Sequence, residues 1–268
     1  MKSQKLFLRW KRRYLKLLHK QWMILRQTRR EGKPEQTHEL RVTLRRLRLM
    51  VRLGAPLLDD WAVDEYLRWS RTVSAATSRL RDYDVTLEWL KGRNGAEAIV
   101  ELLRVRRDRL WRIHRPRLMP PTSKVRLRLS RIKTGRKPAA KLRRRFLNRF
   151  DRLHRQVFEG ISHFFELTLE ERHAFRRILR RLRYLRELGL SRKKQVDDGL
   201  LKNLIPLQIA MGEYQNLVVA ESMIKHLKRS ETADRLGKAI TRQQVSWEVK
   251  IRHGLKSLAD TGPSSLKA

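Results

Sequence analysis

The chain has 268 residues, with 65 Lys and Arg against 27 Asp and Glu, and a formal net charge of +38. Like charges on this scale repel one another and lower the stability of the folded chain, and a bound polyanion would offset this repulsion. The absence of cysteine excludes disulfides, thiolate-bound zinc and thiol catalysis, and it fits a reducing compartment. No apolar run approaches the roughly 18 residues that a membrane span needs.

The type and distribution of the basic residues narrow the class of partner. Arginine accounts for 45 of them and lysine for 20. Arginine forms bidentate hydrogen bonds to phosphate oxygens and stays protonated at any working pH, so this bias favours phosphate recognition. Residues 1–125 carry a net charge of +18 and residues 126–268 one of +20. Because a disordered basic arm would concentrate charge in one place, we expect these residues to lie on a folded surface.

Hydrophobic periodicity predicts helices through almost the whole chain. The helices of the first half are predicted at 5–30, 35–53, 61–81 and 83–113, the last interrupted near Gly92–Gly95. A proline-containing connection follows at 114–138, of which 124–138 is interpreted as a basic linker. The helices of the second half are predicted at 139–166, 170–189, 194–213 and 215–256, the last interrupted by breaks, before a frayed tail from Thr261. The sequence therefore predicts an all-α fold.

An internal repeat relates the two halves. Residues 38–48 recur 135 positions later as residues 173–183, and both segments carry the pattern His-x-x-Arg-x-x-x-Arg-Arg-Leu-Arg. At the same offset, residues 18–20 match residues 153–155 around a second shared histidine. Arginine matches are weak in so basic a chain, but the histidine matches are informative. Two halves with four main helices each predict two four-helix bundles, at 1–123 and 139–268.

On a helical wheel, the basic residues of each repeat segment share one face. The first stripe contains His38, Arg41, Arg45, Arg48 and Arg52, and the second contains His173, Arg176, Arg180 and Arg183. The apolar stripes beside them contain Leu40, Leu44, Leu47 and Val51, and Phe175, Leu179 and Leu182. Basic residues at this spacing repel one another, and the acids that usually separate them are nearly missing. A binding surface is therefore favoured over an ordinary solvated face, which remains the alternative.

The first predicted helix has a similar basic face. It contains Lys5, Arg9, Arg12, Lys16, His19, Arg26 and Arg30, opposite Phe7, Trp10, Tyr14 and Leu18. If this face lies beside the first stripe, the two form a groove lined by cations that can follow a chain of phosphates. An arginine-rich amphipathic N-terminus can also resemble a mitochondrial transit peptide, but here the same pattern repeats later in the chain.

These motifs resemble the CHAD family of histidine-containing α-helical domains, and the resemblance covers nearly the whole chain. The segment from Arg180 through Tyr184 to Glu187 resembles the family's Lys-Arg-Leu-Arg-Tyr-x-x-Glu pattern, with Arg180 in place of Lys. Residues 81–85 resemble its Arg-Asp-x-Asp-Val pattern, and residues 212–216 the corresponding segment of the second half. The chain departs from the family at Ser78, usually Gly, and at Asn216, often Asp.

The resemblance implies two four-helix bundles related by pseudo-twofold symmetry, and binding of inorganic polyphosphate along a basic surface. It also implies a cytoplasmic location on polyphosphate granules. The residues expected to bind polyphosphate are His38, Arg41, Arg45, Arg46, Arg48, Arg52, His173, Arg176, Arg180, Arg181, Arg183, Tyr184, Arg12, Lys16 and His19. Many relatives carry a fused triphosphate-tunnel domain, for which this chain has no room. We therefore expect no catalytic residues, no cofactor and no hydrolysis.

Other chemistry is less well supported by the residues. His38 and His173 each lack the second ligand at the spacing that zinc uses, and a core or capping role is their other alternative. Asp82 and Asp84 could hold a divalent ion or act as acid and base, but their position beside Arg81 at a predicted helix junction favours a cap or an ion pair. No carboxylate cluster suited to a phosphohydrolase is visible.

Nucleic-acid binding is the main alternative function, because the sequence pI is about 11.6. Non-specific contacts with RNA or DNA are expected from charge alone. Against specific recognition, the chain has no recognition-helix, sheet or zinc module of the usual kinds. Its basic stripes also contain no interleaved aromatic residues on which bases could stack.

Overall fold

The computed structural model describes residues 2–227 and 231–262, apart from the side chains at 192 and 193. Every regular element in these ranges is helical, which confirms the all-α prediction. The helices are α1 (Ser3–Glu31), α2 (Pro34–Gly54), α3 (Asp60–Ala76), α4 (Ser78–Leu90), α5 (Glu97–His114), α6 (Ser123–Ser130), α7 (Arg136–Ile161), α8 (Leu169–Gly189), α9 (Arg192–Val196), α10 (Gly199–Lys225) and α11 (Glu231–Asp260), with short 3₁₀ turns at Ala55–Leu57 and Arg115–Arg117. The arrangement as two bundles with pseudo-twofold symmetry stays a prediction.

The boundaries of the first-half helices are mostly as predicted, with one error. The break near Gly92–Gly95 is confirmed, since α4 ends at Leu90 and α5 begins at Glu97. The single helix predicted over 61–81 was wrong, because Thr77 separates α3 from α4. The Thr77 hydroxyl is buried and donates a hydrogen bond to the Val73 carbonyl at 2.8 Å, so a side chain takes part in ending α3.

The second half departs further from its predicted boundaries. Helix α10 continues through Tyr214, where a break was predicted, and ends at Lys225. The helix predicted to extend to residue 166 ends at Ile161. A frayed tail was predicted from Thr261, and its part beyond position 262 lies outside the described residues. Both copies of the repeat are nevertheless helical, in α2 and α8, and each of these helices is 21 residues long.

The described residues form two compact units. The first, called the α8 unit, contains residues 2–9, 139–215 and 241–262. The second, called the α2 unit, contains residues 10–138, 216–227 and 231–240. Each unit therefore combines segments from both sequence halves. The domain boundaries 1–123 and 139–268 stay a prediction.

The core of the α2 unit contains the apolar stripe predicted beside the first basic stripe. Its members, Leu40, Leu44, Leu47 and Val51, are all fully buried. Trp10 stacks on Tyr14 with ring centroids 5.0 Å apart, and its indole N–H donates to the Met50 carbonyl at 3.1 Å. The Tyr14 hydroxyl donates to the Leu129 carbonyl in α6 at 2.8 Å. The segment interpreted as a basic linker thus begins with a helix that packs into this core.

A buried ion pair fixes the turn between α1 and α2. Arg107 Nε in α5 lies 2.9 Å from Asp84 Oδ1 in α4, and the two side chains are 9% and 0% exposed. Arg107 Nη2 also donates to the carbonyl of Gly32 in that turn. Gly32 has a φ of 65°, and the Trp111 indole occupies the place where a Cβ would lie. The helices that carry the predicted basic faces are therefore held together at this end.

The core of the α8 unit contains the second predicted apolar stripe. Phe175, Leu179 and Leu182 are buried there. His154 of α7, which is 3% exposed, stacks between Phe150 and Phe158 at centroid distances of 6.1 and 4.3 Å. Burial lowers the pKa of His154, which makes its neutral form the one that fits this core.

This buried histidine predicts a stability that depends on pH. A histidine with a depressed folded pKa contributes its full stability above its unfolded pKa of about 6.5, and this contribution is lost as the pH falls below that value. Nearby Asp151 raises the pKa of His154 and Arg186 lowers it, so the two partly offset each other. We expect His154→Phe, which keeps the ring stack, to lose less unfolding free energy than the parent between pH 7.5 and 5. Urea unfolding at both pH values measures this, and equal losses would contradict it.

Candidate functional site

The first basic stripe lies on α2 as the helical wheel predicted. Pro34 begins this helix, where a missing N–H has no cost. The His38 side chain is exposed, whereas the four arginines of the stripe and the neighbouring Arg46 are half-buried. Arginine stems can cover apolar surface while the guanidinium group reaches solvent. The stripe, with members His38, Arg41, Arg45, Arg48 and Arg52, is called the α2 stripe below.

Arg41 is both a member of this stripe and a structural contact. Its Nη1 donates to the Ser74 carbonyl at 2.9 Å and to Thr77 Oγ1 at 3.2 Å. The side chain therefore braces the junction between α3 and α4. One guanidinium nitrogen is committed to this contact, so Arg41 presents a positive charge whose position is fixed by the fold.

The cations around Arg41 are crowded. The pKa of Arg41 is lowered to about 10, chiefly by burial and to a smaller extent by nearby Arg45, Arg48 and Arg81, whereas Asp82 acts in the opposite direction. Arg41 still carries its full charge at neutral pH. Several like charges thus lie close to Arg41, an arrangement that an added anion stabilises.

His38 shows the same crowding at the start of the stripe. Although His38 is exposed at the surface, partial burial of its ring lowers its pKa, and nearby Arg81, Arg45 and Arg41 lower it further, in that order. Arg81 belongs to α4, so this cation comes from a different helix. The sequence interpretation assigned Asp82 and Asp84 to a cap or an ion pair beside Arg81, and it did not predict that Arg81 lies near His38. The structure thus widens the first candidate surface to include α4.

The second basic stripe lies on α8 and is also half-buried. Its members, His173, Arg176, Arg180 and Arg183, are called the α8 stripe, and the neighbouring Arg181 and Tyr184 are half-buried as well. Arg183 Nε lies 3.0 Å from Glu187 Oε1, and its guanidinium carbon lies 5.5 Å from the centroid of the Tyr184 ring. Glu187 therefore neutralises part of the charge at the C-terminal end of this stripe.

His173 repeats the environment of His38 at the start of its helix. Burial lowers its pKa, and Arg177, Arg176 and Arg180 lower it further. A hydrogen bond with Gln215 of α10 acts in the opposite direction. Each histidine of the repeat therefore lies among three arginines. This resemblance between the two environments could not be inferred from spacing alone, because α4 and α10 supply part of it.

Helix α10 approaches the α8 stripe closely through a glycine. A Cβ atom at Gly212 would lie 3.3 Å from Arg176 Nη2, tighter than most contacts of this kind. Gly212 belongs to the segment that resembles the family pattern. Its small size therefore leaves room for the guanidinium group of Arg176 between the two helices.

The basic face of α1 is level with the α2 stripe. The Arg12, Lys16 and His19 side chains are exposed. Lys20 Nζ lies 2.5 Å from Glu39 Oε1, and the Trp10 indole bonds to the Met50 carbonyl, so the two helices are antiparallel. This register places Arg12 at the height of residues 47–48 and Lys16 at the height of residues 43–44. Whether the two faces form one groove stays a prediction. Arg9, in the α8 unit, instead donates to the Gly189 carbonyl at the end of α8.

The two aspartates considered for acid–base or metal chemistry both lie near arginines. Asp84 forms the buried ion pair with Arg107. Asp82 is half-buried, and burial raises its pKa, although nearby Arg41, Arg79 and Arg81 act in the opposite direction. Across residues 2–227 and 231–262, no group of three or more His, Asp or Glu side chains is placed to hold a metal ion. In the same two ranges, no helix is both long and apolar enough to cross a membrane.

Comparison with known proteins identifies the family. The sequence profile of the CHAD domain matches residues 13–225. The chain belongs to the CHAD domain family. Both basic stripes of this CHAD chain lie inside the matched region, and Arg12 lies just before it. The resemblance inferred from the two His-Arg motifs is therefore confirmed.

Solved structures support the same fold. The CHAD domain from the plant Ricinus communis is 21% identical to this CHAD chain, with a TM-score of 0.64 over 91% of this chain and 89% of that one. PptA from Streptomyces chartreusis is 18% identical, with a TM-score of 0.51 over 92% of this chain and 95% of that one. No curated protein is significantly similar to the chain. At these identities, the likeness concerns the fold.

Proposed function

We propose that this CHAD chain binds inorganic polyphosphate through the α2 stripe and the α8 stripe, and thereby associates with polyphosphate granules. The observation that carries the proposal is that each stripe places half-buried arginines in one row on a helix face. His38 and His173 lie at the start of these rows, where burial and three nearby arginines each lower the histidine pKa. Crowded cations raise the free energy of the unbound protein. A dense polyanion lowers it by neutralising them.

The spacing of the stripes suits a linear polymer of phosphates. Side chains three and four positions apart on a helix are neighbours at about 5–6 Å, so each stripe is a continuous row of cations. Guanidinium groups bind phosphate oxygens in pairs, which favours arginine in such a row. The remaining residues of the proposed site flank these rows, namely Arg46, Arg181, Tyr184, Arg12, Lys16 and His19. Each stripe would engage one stretch of polyphosphate.

The proposal includes binding without catalysis. The arginines and histidines of the stripes can hold phosphate oxygens, but a phosphoanhydride bond is cleaved only when a water or another nucleophile is also activated. Of the two aspartates in this region, Asp84 is engaged in a buried ion pair with Arg107, and Asp82 lies near Arg41, Arg79 and Arg81. Polyphosphate should therefore leave the protein with its chain length unchanged.

A titration of long polyphosphate, RNA and DNA at equal phosphate concentration tests the function. We expect polyphosphate to bind more than about tenfold more tightly than either nucleic acid, and tetraphosphate to bind far more weakly than the long polymer. The affinity should decrease steeply with salt, as charge neutralisation requires. Polyphosphate recovered after incubation with or without Mg²⁺ should have its original length. RNA binding as tight as polyphosphate binding would favour the nucleic-acid alternative, and progressive shortening by repurified protein would favour an enzyme.

A further inference from the structure

An apolar cleft lies in the α8 unit beside the histidine end of the α8 stripe. The cleft is partly open to solvent. Its apolar lining comes from Phe165, Leu169, Met211, Tyr214 and Ile251. Arg176 lines the same cleft and is also a member of the α8 stripe. An apolar wall and a phosphate-binding cation thus meet at one place.

Inorganic polyphosphate has no group that would use this wall, since every atom along its chain is polar. A ligand that fills the cleft and also contacts Arg176 must combine an apolar, flat portion with a phosphate chain. Two polar side chains in the lining, Gln215 and Glu248, add a further requirement. A carboxylate and an amide suit a ring that carries amino and ring-nitrogen groups at its edge.

The aromatic wall is held in place by its neighbours. The guanidinium carbon of Arg252 lies 4.1 Å from the centroid of the Phe165 ring. Arg172 Nη2 donates to the Phe165 carbonyl at 2.7 Å, and Phe164 meets Phe165 edge-on at 5.3 Å. A wall fixed in this way can accept a flat ring with little loss of side-chain freedom.

We propose that this cleft binds the purine base of a nucleoside polyphosphate, whose phosphates extend onto Arg176 and Arg180. The purine contacts the apolar wall, and its amino edge faces Glu248. The inference rests on that part of the proposed function that assigns phosphate binding to the α8 stripe. It adds a class of ligand, small phosphorylated nucleosides, that the stripes alone do not select.

Adenosine 5′-tetraphosphate and inorganic tetraphosphate separate the contribution of the ring from that of the phosphates. The two have the same number of phosphates, and the nucleoside form has fewer ionisable oxygens, so charge alone favours the inorganic ion. We expect the parent protein to bind the nucleoside form at least about tenfold more tightly, because stacking of a base on aromatic side chains has that magnitude. Nuclear Overhauser contacts from the purine protons to the Met211 and Ile251 methyl groups should accompany binding.

Two variants test the wall without changing the net charge. Tyr214→Leu should remove the preference for the nucleoside form while leaving the affinity for long polyphosphate within about twofold. Leu169→Ala should reduce the preference as well, and its side chain is 63% exposed, so the fold should tolerate the change. Leu127→Ala is the matched control, because Leu127 is 55% exposed on α6 in the α2 unit. It should leave every affinity unchanged.

The outcomes distinguish this inference from the proposed function. Equal affinity for the two tetraphosphates in the parent, or a preference that survives Tyr214→Leu, would overturn the inference. Tight binding of the nucleoside form without binding of long polyphosphate would overturn the proposed function and support the binding of a purine in the cleft. Binding of neither ligand would overturn both.

Discussion

Reversing Arg45 and Arg180 together to glutamate should lower the affinity for long polyphosphate by at least about 100-fold. Each substitution removes a charge-assisted contact of about 1.5–3 kcal/mol and adds a repelling carboxylate in the middle of a stripe. Arg45 lies close enough to Arg41 and His38 to lower the pKa of both, and Arg180 does the same to His173. The change therefore alters the potential along each row. Titration of folded protein measures it, with folding verified by thermal unfolding.

The matched control is the double reversal Arg131→Glu with Lys133→Glu. Both side chains are exposed in the segment 124–138, and the change in net charge is the same. We expect it to cost less than about tenfold in affinity, through long-range charge alone. Arg128 is unsuitable as a control, because it pairs with Asp59 at 3.1 Å and Asp59 caps α3. If the stripe variant binds like the parent while the control loses affinity, the site has been misplaced.

Replacing Asp84 by alanine should destabilise the α2 unit by about 3–5 kcal/mol, because it leaves the buried charge of Arg107 without its closest partner. The loss should also loosen the turn at Gly32, which Arg107 holds through a carbonyl. Denaturant unfolding measures the free energy. Polyphosphate affinity of the remaining folded protein should change little, since Asp84 is fully buried and cannot touch the polymer.

The same arginine supplies the control for this experiment. Asp108 Oδ1 also lies near Arg107, at 3.4 Å from Nη1, but its side chain is 61% exposed. Asp108→Asn should therefore cost less than about 1 kcal/mol. A double replacement, Asp84→Leu with Arg107→Leu, should recover part of the stability that Asp84→Ala loses, because no charge is then buried alone. Equal losses of unfolding free energy for Asp84→Ala and Asp108→Asn would contradict this prediction, because the buried pair would then contribute no more than the exposed contact.

The parts of the fold that the sequence predicted well are those with strong local periodicity. Helices α1, α2 and α8 follow their apolar stripes closely, because a stripe of large apolar side chains must face the core. The junction at Thr77 was missed because its neighbours, alanine and serine, carry no strong breaker. The opposite error occurred at Tyr214, where a break was predicted but α10 continues to Lys225. Local signals therefore failed where tertiary contacts decide between one helix and two.

The candidate site also has one part that local spacing predicts and another that depends on tertiary packing. The stripes on α2 and α8 follow from helical spacing, which is a local property. The bracing of Arg41 by Ser74 and the approach of Arg81 to His38 depend on the packing of α3 and α4 against α2, which no spacing reveals. The stripes themselves contain no aromatic residue, but Phe165 and Tyr214, from other segments, line one cleft together with Arg176 of the α8 stripe. Residues distant in sequence thus supply the features that composition could not predict.

The regular spacing of the arginines on α2 and α8 matters for how a polymer would be held. Because the interior phosphates of a polyphosphate chain are chemically identical, such a row can accept the chain in many registers. A longer chain offers more placements, so the binding entropy increases with length even when each placement makes the same contacts. Moving by one register exchanges a few contacts at a time, so the protein can slide along the polymer without dissociating. Bound in this way, many copies could spread over a granule and redistribute as it grows or shrinks.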